Sequence, residues 1–297
     1  MDALLQTGSS GSVPVPLKSD PFFSHNTHDR EPIMRRCLRF LMVLAAGLFC
    51  GRASAADAGD GITVMSFNVL RDAWAKPGDP SWADRKADVF ATIQRKSPDF
   101  VATQEEGGGQ MEEMLAALPA YHEVPGREIS GGILYLHEKW ALLDHGLTRF
   151  VRYDDGNSKD RYFIWGLFNE KSASRMMYIY SLHLPYAGQA TPSDRVAGMA
   201  QMARHVAARQ QQSAPVILAG DFNSTTDMDN MRTLTGEIGD LPSKFIYAHK
   251  DVEVRDVSYG IDHILALPGT TVRESGVVAG IWTSGSDHPA VYAVIEP

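Results

Sequence analysis

Six apolar stretches of this chain adjoin polar or ionisable side chains, five running into them and one following them. Ile62–Phe67 leads into Asn68, and Asp99–Thr103 into Gln104, Glu105 and Glu106. Met176–Leu182 leads into His183, and Pro215–Gly220 into Asp221, Phe222 and Asn223. Gly260 and Ile261 precede Asp262 and His263, while Ser286, Asp287 and His288 stand just before the run Ala290–Ile295. If the apolar stretches are strands of common sheets, several of their ends can meet at one rim. Carboxylates gathered there repel one another unless a cation sits among them. A hard divalent ion suits oxygen ligands of this kind, and a substrate phosphate can complete its shell. Such an ion also stabilises charge that develops on a phosphoryl group.

The elements that must position these residues follow from hydrophobic periodicity. Strands are expected at Ile62–Phe67, Phe100–Thr103, Gly132–Leu136, Tyr162–Phe168 and Met176–Leu182, then at Pro215–Ala219, Ile261–Leu267, Thr271–Val278 and Ala290–Ile295. Helices are expected over Ala83–Lys96, Gln110–Leu118 and Pro192–Gln211. The last has Thr191 as its cap, Pro192 at the first helical position and Asp194 completing a capping-box-like start. Its stripe Val196, Met199, Met202 and Val206 reads as core packing. Strands are many, helices few, and their alternation is too irregular for a doubly wound sheet. Two packed sheets with helices outside are expected, in one domain over 56–297 with no linker and no internal repeat.

The ordered set SFNVL, PDFVATQE, SLHL, GDFNS, GIDHIL and SDHPAVYAVI resembles the motif set of the endonuclease/exonuclease/phosphatase (DNase I-like) superfamily. The resemblance covers essentially all of residues 56–297. It implies an α/β, four-layer sandwich of two mixed β-sheets flanked by helices, and a metal-dependent phosphoric ester hydrolase. By the same resemblance Glu105 is the principal metal ligand, with Asn68 and Asp287 in the metal site. Glu106 falls beyond the motif's end. His288 resembles the catalytic histidine and Asp262 the carboxylate that orients it. Asp221 and Asn223 resemble the pair that positions water and phosphate oxygens, and His183 a second histidine donating to the phosphate. Whether Asp221 or His288 is the base stays open. Arg161 and Tyr135 are further candidates for reaching the phosphate. The implied cofactor is Mg²⁺, or Mn²⁺ or Ca²⁺. His263 follows Asp262 directly, so strand alternation turns it to the other face and it reads as structural.

Upstream lies a different kind of segment. From Met34 a basic stretch (Arg35, Arg36, Arg39) precedes the apolar run Phe40–Cys50 and the small-residue triplet Ala53-Ser54-Ala55. That is the layout of a secretory signal peptide over 34–55, cleaved after Ala55, with 1–33 as an extension or a mis-assigned start. The 11-residue run is too short to span a membrane, so no membrane anchor is expected after cleavage and a secreted or periplasmic location is. Both cysteines, Cys37 and Cys50, leave with the leader. The remaining chain has 22 basic and 32 acidic residues, a net charge of −10. Nucleic-acid binding draws on cationic side chains that displace counterions. A phosphate-ester substrate is therefore expected without a stable nucleic-acid complex, on a chain expected to be a monomer. Tyr259-Gly260-Ile261 before Asp262 departs from the inositol-polyphosphate 5-phosphatase signature. The layout is most similar to bacterial hydrolases distantly related to deadenylases, and the substrate is phosphodiester or phosphomonoester. A secreted nuclease is the rival enzyme reading. A non-catalytic binding protein would need a broken set, and no member of the set is missing.

Overall fold

The computed structural model describes residues 61–296, apart from 108, 127–130, 152–159, 174 and 210–213. The expected extension 1–33, the leader 34–55 and its cleavage point lie outside the described residues. In chain order the elements begin with β1 (Ile62–Asn68), α1 (Trp82–Lys96), β2 (Phe100–Gln104), α2 (Gln110–Ala117), β3 (Tyr121–Glu123) and β4 (Gly132–Leu136). Then come β5 (Trp140–Val151), β6 (Arg161–Glu170), β7 (Met176–His183), α3 (Pro192–Arg209), β8 (Val216–Asp221) and α4 (Asp229–Leu234). The last are β9 (Ile246–His249), β10 (Glu253–Val254), β11 (Ser258–Tyr259), β12 (Asp262–Ala266), β13 (Thr271–Ala279) and β14 (Ala290–Glu296).

Two six-stranded mixed sheets result, with strand orders β13-β14-β1-β2-β4-β3 and β5-β6-β7-β8-β12-β9. Each is built around one parallel pair, β1 with β2 and β7 with β8, whose connection contains a long helix, α1 or α3. Antiparallel strands flank both pairs: β14 and β4 in one sheet, β6 and β12 in the other. The two halves therefore share a plan that no sequence repeat announces.

Alternation along the strands makes three cores. Ile62 and Val64 of β1 pack with Ile179, Ile217 and Ile264 in the layer between the sheets, whereas Met65 and Phe67 join Val89 and Ile93 of α1 beneath the first sheet. On the outer face of the second sheet, Tyr180 and Leu218 meet Met199, Met202 and Val206 of α3. The methionine stripe is thus core packing, and each such fully buried side chain contributes about 1.5–3 kcal/mol. The close approach of β7 and β8 needs Gly220, where a Cβ would lie 2.2 Å from the Leu182 carbonyl oxygen.

The expected strands and the three expected helices all form. What periodicity missed is β5, along with the short pieces β3, β9, β10, β11 and α4. β5 is an edge strand with register shifts at Leu142/Asp144 and Arg149/Val151. Each shift resets which face a residue takes, so the twelve residues show no single alternation. Among the described residues, no helix is long and apolar enough to cross a membrane.

Candidate active site

Side-chain parity carries the predicted residues to one rim. In β1 the inward set Ile62, Val64, Ser66 ends on Asn68; in β8 Ile217 and Ala219 end on Asp221. In β7 Ile179 and Ser181 end on His183, and β12 begins on Asp262 before the inward Ile264. The interior between the sheets thus passes from aliphatic to polar or ionisable side chains along each strand, through a hydroxyl in β1 (Ser66) and β7 (Ser181). Register then sets neighbours: His183 stands beside Asp221 across the parallel pair, and Asp262 faces Asp221 across the antiparallel one. Glu105 follows β2 with φ 63, a left-handed conformation unusual for a residue with a side chain.

Asp221 is the hub. Its Oδ2 accepts from Asn68 Nδ2 at 3.1 Å and lies 3.5 Å from His183 Nε2 and 3.7 Å from His288 Nε2. Its Oδ1 accepts the Asn223 backbone N–H at 2.8 Å. His288 Nδ1 lies 2.9 Å from Asp262 Oδ2, and His183 Nε2 lies 3.7 Å from Glu105 Oε1. The Asn223 side chain donates to the Leu184 carbonyl at 2.8 Å.

Burial drives the electrostatics. It pushes Asp221 up to about 6, against the pull of His288, and it raises Glu105 and the fully buried Asp262 as well. His288 is only 9% exposed, and burial alone would lower it; Asp262, Asp221 and Asp287 hold it well above the usual histidine value instead. His183 goes the other way, lowered by burial and by the charges of Arg161 and His288. The two histidines are therefore shifted in opposite directions.

Among the described residues, two donor groups could hold a metal ion, Glu105–His183–Asp221 and Asp221–Asp262–His288, each with its ligand atoms within 4.8 Å of one another. Asp287 belongs to neither, but its charge acts on Glu105, Asp262 and His288. Arg161 reaches the rim, where its charge acts on His183 and its Nη2 donates to Gln189 Oε1 at 3.1 Å. Tyr135 does not. It pairs with Phe100 at the opposite end of β2 and packs against Phe168, with ring centroids 5.1 Å apart. β4 runs antiparallel to β2, so its start at Gly132, not Tyr135, approaches the rim. Ser286, which the sequence places beside Asp287 and His288 without a role, has one: its Oγ donates to the Asn68 carbonyl at 2.7 Å and ties the His288 loop to β1.

His263 faces away from the site, as alternation requires. Its Nε2 donates to the Ser224 carbonyl at 2.9 Å and its Nδ1 accepts the Asp251 N–H at 3.1 Å, which demands a neutral ring. Burial lowers its pKa to about 4. Between 6.5 and about 4 the unfolded chain then binds the extra proton, so stability falls as pH drops through that window. The loss from this one residue is about 3 kcal/mol at the acid end. His263→Gln, which can both donate and accept, should show a shallower fall in urea midpoint from pH 6.5 to 4 than the parent. Equal slopes would refute this.

A protein-family model described as Endonuclease/Exonuclease/phosphatase family matches residues 65–288. Solved structures share the fold. The mannosyl-6-phosphatase of Bacteroides thetaiotaomicron VPI-5482 is 19% identical, with 80% of this chain and 100% of that one covered and a TM-score of 0.66. The human Nocturnin catalytic domain with bound sulfate is 18% identical, covering 80% and 96%, with a TM-score of 0.64. ANGEL2, a 2′,3′-cyclic phosphatase, is 15% identical, covering 80% and 95%, with a TM-score of 0.65. No curated protein matches the sequence. At these identities the structural likeness is one of fold.

Proposed function

We propose that this chain, which belongs to the endonuclease/exonuclease/phosphatase family, is an exported metal-dependent hydrolase of small phosphate esters. The observation that carries this reading is the buried Asp221 hub, where two carboxylate–histidine groups share one carboxylate at the open end of the sandwich. The site fits a divalent cation: burial pushes the Glu105 carboxylate towards protonation, and the charges of Asp221 and Asp287 beside it push the same way, a strain that a cation would relieve. Glu105, with Asn68 and Asp287 in support, would hold the ion. When bound, it supplies charge stabilisation for the phosphoryl oxygens.

The side chains divide the remaining work. Asp262 accepts from His288 Nδ1, which fixes that nitrogen as the protonated one and leaves Nε2 to exchange a proton at the rim. Nε2 lies 3.7 Å from Asp221, close enough for the two to titrate as a pair and serve together as the base for an attacking water. Asn68 and the Asn223 N–H hold the Asp221 carboxylate from two sides and so fix where that water would be oriented. His183 and Arg161 stand on the opposite flank of Asp221 as donors for the phosphate oxygens.

Net charge argues for a small ester: a chain with ten excess acidic residues after the leader gains little from counterion release on duplex DNA. Two of the structural neighbours are named as phosphatases, a mannosyl-6-phosphatase and a 2′,3′-cyclic phosphatase. Mature protein should be assayed with Mg²⁺, Mn²⁺ and Ca²⁺ against mannose 6-phosphate, inositol phosphates, 2′,3′-cyclic nucleotides, short RNA, plasmid DNA and bis-p-nitrophenyl phosphate. Turnover of a small ester well above that of either nucleic acid is expected. Preference for RNA or DNA would make it a nuclease, and inactivity on all would sink the reading.

Export rests on Arg35, Arg36 and Arg39 ahead of Phe40–Cys50 and Ala53-Ser54-Ala55. The protein recovered from a secreting host should begin at or near Ala56. Intact mass retaining residues 1–55 would refute it.

A further inference from the structure

Two buried arginines outside the reacting cluster occupy the same place in the two halves of the fold. The helix joining each parallel pair opens alike: Ser81-Trp82-Ala83-Asp84-Arg85 at α1 and Thr191-Pro192-Ser193-Asp194-Arg195 at α3. In both, the hydroxyl meets the aspartate, Ser81 Oγ to Asp84 Oδ2 and Thr191 Oγ1 to Asp194 Oδ2, each at 2.6 Å. The fourth helical residue then points into the protein, leaving Arg85 2% and Arg195 3% exposed. This placement is unfavourable on two counts. A guanidinium loses its water, and a positive charge in the first turn opposes the helix dipole. Its partners must compensate.

Those partners are the backbones of the site loops. Arg85 donates from Nη1 to the Val69 carbonyl at 2.5 Å and the Gly285 carbonyl at 3.0 Å, and from Nη2 to the Leu70 carbonyl. Arg195 donates from Nη2 to the Asn223 carbonyl at 2.5 Å, the Phe222 carbonyl at 3.5 Å and Ser224 Oγ. Each arginine thereby grips a residue in the left-handed region, Leu70 at φ 53 and Asn223 at φ 46. Non-glycine residues persist there only where their surroundings over-determine them. Both loops end on the hub. The Leu70 N–H donates to Asn68 Oδ1 at 3.0 Å while Asn68 Nδ2 donates to Asp221, and the Asn223 N–H donates to the other Asp221 oxygen. Gly285, at φ 82, lets the loop before His288 lie on α1, since a Cβ there would stand 2.6 Å from the Arg85 carbonyl oxygen.

We propose that Arg85 and Arg195 are positioning residues, a matched pair of guanidinium clamps that hold the two loops in the strained form in which Asn68 and Asn223 grip Asp221. Neither touches a reacting atom; each acts through the asparagine on its loop. A lysine keeps the charge but ends in one nitrogen, an atom short of Nη, so it can reproduce neither the two-nitrogen grip of Arg85 nor the position from which Arg195 Nη2 meets its oxygens.

The test is Arg85→Lys, Arg195→Lys and the double variant, read in mature protein by amide hydrogen exchange, urea midpoint and steady-state kinetics per folded molecule. Expected are faster exchange confined to the 69–72 loop for Arg85→Lys and the 222–226 loop for Arg195→Lys. The kcat of each should fall at least tenfold, with KM within threefold and a urea midpoint close to the parent's. Should a lysine variant not fold, the corresponding Arg→Ala variant with added guanidinium gives the same reading, and recovery of kcat is expected. Unchanged exchange in the loops would overturn the proposal. So would a lowered urea midpoint with unchanged kcat, which would leave the arginines merely structural. The kinetic arm rests on the phosphate-ester reading and the exchange arm does not, so a parent inactive on every ester defeats that reading while the exchange contrast still judges the clamps.

Discussion

Glu105→Gln should lower turnover of the best ester by more than about 10²-fold while leaving the fold intact. Residues that merely support metal ligands cost about 10–100-fold when removed, and a ligand itself should cost more. Gln keeps the volume and the left-handed turn but loses the charge that an ion would balance. Burial already pushes Glu105 towards its neutral form, so the variant should fold at least as stably as the parent. Treatment with EDTA should reproduce the kinetic loss, and Mg²⁺ or Mn²⁺ should restore activity to the parent but far less to the variant. Calorimetric titration with Mn²⁺ should show weakened binding in the variant. Full activity after exhaustive chelation would remove the metal from the mechanism. A variant with unchanged Mn²⁺ affinity would move the ion away from Glu105.

His288→Ala and Asp262→Asn should each cut kcat by roughly 10²–10⁴-fold, the scale of general acid–base assistance. Their double variant should be little worse than the worse single. Asp262 lies at 0% exposure with Oδ2 against His288 Nδ1, so on the proposed reading it has no route to the substrate except through that ring. Residues that act as one unit lose activity non-additively. Asp262→Asn keeps the shape and removes the charge that, with Asp221, holds His288 above its ordinary pKa. Its loss should therefore fall mainly on kcat. Multiplicative losses in the double variant would refute the dyad and assign the proton to Asp221 alone, the carboxylate already held to about 6.

Much of this molecule is written locally. Strand alternation is a property of the backbone, so Asn68, His183, Asp221 and Asp262 share an inward face because each continues an inward aliphatic series by an even step. The same rule turned His263 outward with one residue's difference. The capping chemistry at Thr191 and Asp194 is likewise a contact of near neighbours, readable without the rest of the chain.

Tertiary structure decided what depends on register and on which end of a strand is up. Tyr135 has the inward parity of a site residue, yet antiparallel pairing of β4 with β2 sends it to the far end of the sandwich. The edge strand β5 was hidden because its bulges break the alternation that periodicity relies on. The grips of Arg85 and Arg195 are not legible along the chain, since the carbonyls they hold include one 200 residues away and others 27 and 28 away. The spread of charge across the site was also beyond sequence. Desolvation acts on Asp221, Glu105, Asp262 and both histidines only once the two sheets close over them, and the opposite shifts of the two histidines follow from which charges end up beside each.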